Sequence, residues 1–184
     1  MAPTRELAIQ INDEFKKLSA GYRLFSTICV GGTSIRPQIM SLKRTNHFIV
    51  GTPGRLLDLL DRHSIDGSRI TSVVLDEADR MLDMGFIHDM RRILEQVPKE
   101  RLTLLFSATM TKDAEALVND FMQNPVTISV KKKETAEAIE QDIVKYSEHT
   151  KFDTLTALLR DPAFSRVIIF GAMKHSVEKL GKEL

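Results

Sequence analysis

Acidic residues follow directly on an apolar run near the middle of the chain. Residues 73–75 are Val-Val-Leu, and Asp76-Glu77-Ala78-Asp79 comes next. Carboxylates at the end of a buried strand can hold Mg²⁺, which takes oxygen ligands, and a second carboxylate can orient or deprotonate a water for attack on a phosphoryl group. Acidic residues also suit the dipole at a helix N-terminus. The spacing alone leaves both interpretations open.

A pair of hydroxyl residues has the same position after another apolar run. Ser107-Ala108-Thr109 follows residues 102–106. The two hydroxyls can hydrogen-bond the acidic cluster, which would link that cluster to the rest of the sheet. The alternative interpretation is a helix cap before Lys112.

Loops suited to phosphate groups occur at other places in the chain. Helix N-termini with free N–H groups bind anions, glycines allow close backbone approach, and arginine adds a bidentate contact. Each loop alone is weak evidence, since turns need glycine anyway. Together they indicate a groove that follows a sugar–phosphate backbone without reading its sequence. The loops are Pro3-Thr4-Arg5, Gly31-Gly32 and Thr52-Pro53-Gly54-Arg55.

These residues need a scaffold, and the hydrophobic pattern predicts an α/β fold. Short apolar runs alternate with amphipathic stretches of helical period, which favours a mostly parallel sheet with helices on both faces. Ligands bind such sheets beyond the carboxyl ends of the strands. Strands are predicted at 24–30, 47–50, 71–75, 102–106, 126–130, 143–146 and 167–170, and helices at 7–18, 34–42, 53–60, 87–96, 112–122, 152–159 and near the end of the chain.

The composition shifts once along the chain. Residues 131–138 read Lys-Lys-Lys-Glu-Thr-Ala-Glu-Ala, without an apolar period, and predict a linker. We therefore expect one domain at 1–130 and the beginning of a second at 139–184.

Bulk composition excludes little. The 184 residues are 42% hydrophobic and 28% charged with a formal net charge of +1, an ordinary globular balance. One cysteine excludes an internal disulfide, and the histidines lack ligand spacing. No apolar run approaches the ~20 residues that a membrane span requires, and no secretory signal is visible, so we expect a cytoplasmic protein without a membrane partner.

The motifs, taken together and in order, resemble those of the DEAD-box ATP-dependent RNA helicases of superfamily 2. The resemblance covers essentially the whole chain and is especially close from Asp76 to Phe86. The motifs that carry it are Pro3-Thr4-Arg5-Glu6-Leu7-Ala8, Gly31-Gly32, Thr52-Pro53-Gly54-Arg55, Val74-Leu75-Asp76-Glu77-Ala78-Asp79 and Ser107-Ala108-Thr109.

The resemblance implies a fold and a role for each motif. The fold would be a RecA-like (P-loop NTPase) domain followed by the start of a second one. Asp76 would hold Mg²⁺ through water, Glu77 would activate the water that attacks ATP, and Asp79 would link to Ser107 and Thr109. The three loops would contact RNA sugar and phosphate, and ribonucleoprotein partners would be expected.

The sequence also departs from the family. It contains no Gly-x-x-x-x-Gly-Lys-Ser/Thr loop, which in the family lies upstream of the Pro-Thr-Arg motif and reaches the terminal phosphates. We therefore expect an N-terminally truncated first domain and a chain that is inactive alone. The alternatives are a catalytically inactive RNA-binding fragment, a DNA-directed helicase of the same superfamily, and an unrelated Mg²⁺ phosphohydrolase.

Overall fold

The computed structural model describes residues 1–130, 139–147 and 150–184. The chain divides into two compact units, Met1–Ile128 and Ser129–Leu184, and each is described by itself. The predicted linker at 131–138 lies outside the described residues.

Two pairs of parallel strands form the centre of the first unit. Strand β1 (Ser26–Cys29) pairs with β2 (Phe48–Gly51), and β3 (Ser72–Leu75) pairs with β4 (Leu102–Leu105). Each pair is joined by a crossover that contains helices, as parallel strands require. The predicted parallel α/β architecture is therefore confirmed.

Met1 and Ala2 connect the two strand pairs. The Met1 amino group donates to the Val74 carbonyl oxygen at 2.6 Å, and the Asp76 amide donates to the Met1 carbonyl oxygen at 3.0 Å. On the other side, the Ala2 amide donates to the Gly51 carbonyl oxygen at 3.0 Å. These two residues thus lie between β2 and β3 at the carboxyl ends of the strands, where the loops with the candidate site residues begin.

The helices of the first unit begin at recognisable caps. Thr4 accepts a hydrogen bond from the Leu7 amide, Thr111 accepts one from Ala114, and Pro53 occupies the first turn of its helix. Helix α4 was not predicted, because six residues are too few to show a helical period. The helices are α1 (Arg5–Leu18), α2 (Ile35–Leu42), α3 (Pro53–Asp61), α4 (Ala78–Asp83), α5 (Ile87–Glu95) and α6 (Lys112–Phe121), with a short 3₁₀ turn at Gly67–Arg69.

Both faces of the β1–β2 pair are covered. Successive strand residues point to opposite faces: Val30 and Val50 pack with Ala8 of α1, whereas Cys29 packs on the other side with Leu56 and Leu59 of α3. The edge that carries Gly31-Gly32 and Thr52 is therefore held on both sides.

The β3–β4 pair is buried on one face. Val73 and Leu75 lie in a core with α4, α5 and α6, whose other members are Ala78, Met81, Met90, Leu94, Val97 and Leu117. On the opposite face Leu102, Leu104 and Phe106 are exposed. Within the described residues this sheet face has no helix over it.

The second unit contains two helices and no strand among its described residues. Helix α7 (Lys151–Leu159) and helix α8 (Lys174–Glu183) agree with the predicted helices. The strands predicted at 126–130, 143–146 and 167–170 are not formed, and Ile128, Ile143 and Phe170 are exposed. The prediction was wrong because an apolar run becomes a strand only where a neighbouring strand supplies hydrogen bonds.

In the described part of the chain, no helix combines the length and the hydropathy that a membrane span needs.

Candidate functional site

The predicted site residues of the first unit all follow the carboxyl ends of its extended segments. Pro3-Thr4-Arg5 follows Met1-Ala2, Gly31-Gly32 follows β1, and Thr52 follows β2. Asp76 follows β3, and Ser107 comes just after β4. The parallel sheet therefore brings the acidic cluster, the hydroxyl pair and the three loops to one edge, where open α/β sheets bind ligands.

Asp79, Ser107 and Thr109 form one hydrogen-bonded network. The Asp79 Oδ2 atom accepts from both the amide and the Oγ1 hydroxyl of Thr109, each at 2.8 Å. The Asp79 amide donates to Ser107 Oγ at 3.2 Å, and Ser107 Oγ donates to the Thr109 carbonyl oxygen at 2.7 Å. The contacts between the two motifs are thus present, and a role for them in catalysis stays a prediction.

This network changes the acidity of Asp79. Partial burial acts to raise the pKa of Asp79, but hydrogen bonds from Thr109 and the Arg80 amide outweigh it and lower the pKa below its ordinary value. Asp79 is therefore an anion at neutral pH. Hydrogen bonds to an ionised acceptor are stronger than hydrogen bonds between neutral groups.

Glu77 lies in a strained part of the backbone. Its φ of 50° and ψ of 53° place it in the left-handed region, which costs an L-residue roughly 1–2 kcal/mol. Its amide donates to Asp76 Oδ1 at 3.1 Å, and the following Ala78 amide donates to the Phe106 carbonyl oxygen at 3.0 Å. Held from both sides, the turn leaves the Glu77 side chain exposed at the sheet edge, where a water can reach it.

Asp76 could supply only part of the ligand set of a magnesium ion. No group of three His, Cys, Asp or Glu side chains within the described residues could hold a metal ion. Mg²⁺ is commonly bound by one or two carboxylates, with waters and substrate phosphates completing its shell. The half-buried Asp76 carboxylate at the strand end suits that mode and no other.

Arg5 and the glycine loop contact each other directly. Thr4 caps α1 by accepting from the Leu7 amide, so this helix begins just after Met1-Ala2 at the sheet edge. The Arg5 guanidinium donates to the Gly31 carbonyl oxygen at 3.5 Å. Gly32 has a φ of +71°, and a Cβ atom there would collide with the Arg5 guanidinium. The positive φ therefore favours glycine at this position, and a larger residue would also displace the end of the Arg5 side chain.

The Thr52-Pro53-Gly54-Arg55 loop is joined to the same glycine loop. The Thr52 amide donates to the Cys29 carbonyl oxygen at 3.1 Å, which fixes the start of α3 beside the end of β1. The Arg55 guanidinium donates to the Thr33 carbonyl oxygen at 3.2 Å. Both arginines thus brace the glycine loop, and a ligand at this edge would meet backbone amides as much as guanidinium groups.

Two contact residues of this edge were missed by the sequence analysis. Thr33 receives the Arg55 bond, and Gln38 of α2 donates to the Val30 carbonyl oxygen at 3.0 Å. A glutamine within an amphipathic helix gives no signal that separates a buried structural role from an exposed one, so a single sequence could not have identified it.

The first unit is thus a parallel α/β domain with an acidic turn and with glycine- and arginine-containing loops at its carboxyl edge. The model of the DEAD/DEAH box helicase family matches residues 1–117. The chain therefore belongs to the DEAD/DEAH box helicase family.

Individual relatives agree with this assignment. The chain is 46% identical to the ATP-dependent RNA helicase CshA of Listeria monocytogenes over 100% of this chain and 36% of the relative. It is 45% identical to the DEAD-box ATP-dependent RNA helicase CshA of Bacillus subtilis, again over 100% of this chain and 37% of the relative. The chain thus spans little more than a third of the length of these relatives.

Solved structures show the same fold. The crystal structure of a DEAD box protein from the hyperthermophile Methanococcus jannaschii is similar with a TM-score of 0.68 and 37% identity, over 98% of this chain and 48% of that one. The crystal structure of a hypothetical ATP-dependent RNA helicase from Sulfolobus tokodaii has a TM-score of 0.63 and 38% identity, over 66% of this chain and 37% of that one.

Proposed function

We propose that this chain is part of the catalytic core of an ATP-dependent RNA helicase, in which ATP hydrolysis is coupled to RNA binding and local duplex unwinding. The observation that carries the proposal is the bonding of Asp79 to Ser107 and Thr109 at the edge where Arg5 and Arg55 hold the glycine loop. One sheet edge thus brings together groups that can act on a phosphoanhydride and groups that can bind a sugar–phosphate backbone.

The chemical step falls to the turn after β3. Glu77, exposed and held in a fixed turn, would orient the attacking water and accept its proton as the water oxygen bonds to the terminal phosphorus. The bond from that phosphorus to the bridging oxygen breaks, and ADP leaves with the bonding electrons. Asp76 would hold Mg²⁺ through water, and the bound ion would neutralise charge on the phosphate oxygens. Asp79 would connect this turn to Ser107 and Thr109, so that a displacement at the end of β3 would also displace the segment after β4.

RNA would be bound through its backbone. The loops offer helix N-termini, glycine amides and arginines, which suit phosphate oxygens and give no base-specific contact. The proposed sites are Pro3, Thr4, Arg5, Gly31, Gly32, Thr52, Pro53, Gly54 and Arg55. With RNA as substrate, the proposal includes a cytoplasmic location and ribonucleoprotein partners.

Binding of the nucleotide requires residues beyond those named above. No Gly-x-x-x-x-Gly-Lys-Ser/Thr sequence occurs in the 184 residues, and such a loop is what cradles the terminal phosphates in P-loop enzymes. This favours a second candidate function for the 184 residues by themselves, namely RNA binding without turnover.

A chimera tests the proposal. The matching segment of the Bacillus subtilis relative would be replaced by these 184 residues, and RNA-stimulated ATP hydrolysis would be measured for the chimera and for the 184 residues alone. We expect turnover only from the chimera, abolished by Glu77→Gln and unaffected by Glu95→Gln, a matched exposed glutamate on α5.

The other outcomes are informative. Hydrolysis by the 184 residues alone would show that the nucleotide site has been assigned wrongly. A chimera that folds and binds RNA but does not hydrolyse ATP would favour the RNA-binding function. Equal stimulation by DNA of the same sequence would contradict the assignment of RNA as substrate.

A further inference from the structure

The loop between β1 and α2 is held by side chains from three different helices. Arg5 of α1 donates to the Gly31 carbonyl oxygen, and Arg55 of α3 donates to the Thr33 carbonyl oxygen. The third side chain is Gln38 of α2, which makes the most contacts with the loop.

Gln38 bonds to the backbone of the loop at both ends. Its Nε2 atom lies 3.0 Å from the Val30 carbonyl oxygen, 2.9 Å from Thr33 Oγ1 and 3.4 Å from the Ser34 carbonyl oxygen. Carbonyl oxygens only accept hydrogen bonds, so the amide nitrogen of Gln38 must face them. The residue before Gly31 and the residue after Thr33 are thus tied to one side chain.

The remaining local bonds show why such a tie is needed. Ser34 precedes α2 but makes no side-chain cap, and Gly32 has a φ of +71° that most residues avoid. Thr33 Oγ1 itself donates to the Val30 carbonyl oxygen at 3.3 Å. The loop therefore has a tight reversal at Gly32, and Gln38 supplies a donor to carbonyl oxygens on both sides of it.

Gln38 is also related to Arg55 through Thr33. The Oε1 atom of Gln38 and the Nη1 atom of Arg55 are both buried and have no hydrogen-bond partner within the described residues. One is an acceptor and the other a donor, and both side chains bond to Thr33. Their hydrogen-bonding needs are therefore complementary.

We infer that Gln38 is a positioning residue that fixes the conformation of the Gly31–Gly32–Thr33 loop and thereby sets the backbone amides that face RNA. The part of this inference that concerns RNA rests on the proposed function. The hydrogen bonds of Gln38 go to the loop and its two ends, so its effect on binding passes through the backbone that it holds.

The test uses the 184-residue chain with Gln38→Ala and with Gln38→Met, which keeps the volume of the side chain and removes its hydrogen bonds. The matched control is Gln10→Ala, an exposed glutamine on α1. Amide hydrogen exchange and ¹⁵N relaxation at residues 31–34 report the loop, and binding of a single-stranded oligouridine across a salt series reports the phosphate contacts.

We expect both Gln38 variants to speed exchange at residues 31–34 and to weaken oligouridine binding about tenfold. The salt slope should stay nearly unchanged, because the backbone amides that the loop presents carry no charge. Gln10→Ala should change none of these. A loop that is unchanged in both Gln38 variants would overturn the inference, whether or not binding falls. If the unmodified chain does not bind oligouridine but the loop loosens in both variants, the positioning role stands and the RNA-binding proposal fails.

Discussion

Asp79 and Thr109, thirty positions apart in the chain, share two hydrogen bonds at a single carboxylate oxygen. Asp79 Oδ2 accepts from the Thr109 amide and from its hydroxyl, both at 2.8 Å. The contact joins the turn after β3 to the segment after β4 and fixes the distance between them. It is also the contact whose strength depends most clearly on protonation.

Thr109→Val should lower the free energy of unfolding by about 1 kcal/mol at pH 7, because it removes the hydroxyl donor and keeps the shape. Hydrogen bonds to charged groups contribute roughly 1.5–3 kcal/mol, and the exposure of Thr109 reduces that figure. Urea unfolding measures the change. Thr45→Val, at an exposed threonine without a side-chain hydrogen bond among the described contacts, is the control.

The same variant carries a pH test. The folded-state pKa of Asp79 lies below its ordinary value of 3.8, so its bonds stabilise the protein above about pH 4 and are lost as the pH falls through the folded value. The difference in the free energy of unfolding between Thr109→Val and the unmodified chain should therefore stay constant from pH 7 to about pH 4 and become smaller below pH 4. A difference independent of pH would mean that the hydroxyl stabilises the fold by some other contact.

Gly32→Ala should destabilise the protein by roughly 1–2 kcal/mol, because a φ of +71° strains any residue with a Cβ atom. The added methyl group would also push the Arg5 guanidinium away from the Gly31 carbonyl oxygen. Gly31→Ala is the matched control, since a Cβ atom there meets nothing within 4 Å. Equal unfolding midpoints for the two variants would contradict the strain at Gly32.

Much of this site could be predicted from the sequence, because each motif follows an apolar run and parallel strands end at a common edge. The bonds from Arg5 and Arg55 to the glycine loop could not, because they depend on which helix packs beside which loop. Apolar runs also gave wrong strand predictions where the described residues offer no neighbouring strand: Phe170 lies in a predicted strand but is exposed and outside any sheet.

Cys29 should be unreactive towards a water-soluble disulfide reagent in the folded protein at pH 8. Burial raises the pKa of the Cys29 thiol to about 12, with the nearby Arg55 acting in the opposite direction. The thiolate is the reactive form, and the side chain is fully buried. The measurement is the rate at which the one thiol per chain is labelled. We expect this rate to be slow in buffer and fast in urea. Labelling at the same rate in both would show that β1 opens freely.

The buried amino group of Met1 should make stability depend on pH in a chain prepared with a free N-terminus. Burial lowers the pKa of this amino group from 8.0 to about 6, although Asp76 acts to raise it. The unfolded chain therefore binds more protons between these values, and the free energy of unfolding should rise as the pH increases from 6 to 8, by at most about 3 kcal/mol.

Adding Val-Leu before Met1 replaces the amine with an amide that can still donate to the Val74 carbonyl oxygen. Since both chains share their histidines, the difference between their urea-unfolding profiles isolates the amine. Parallel profiles from pH 6 to 8 would mean that the amino group reaches water, and that Met1 does not lie between the strand pairs.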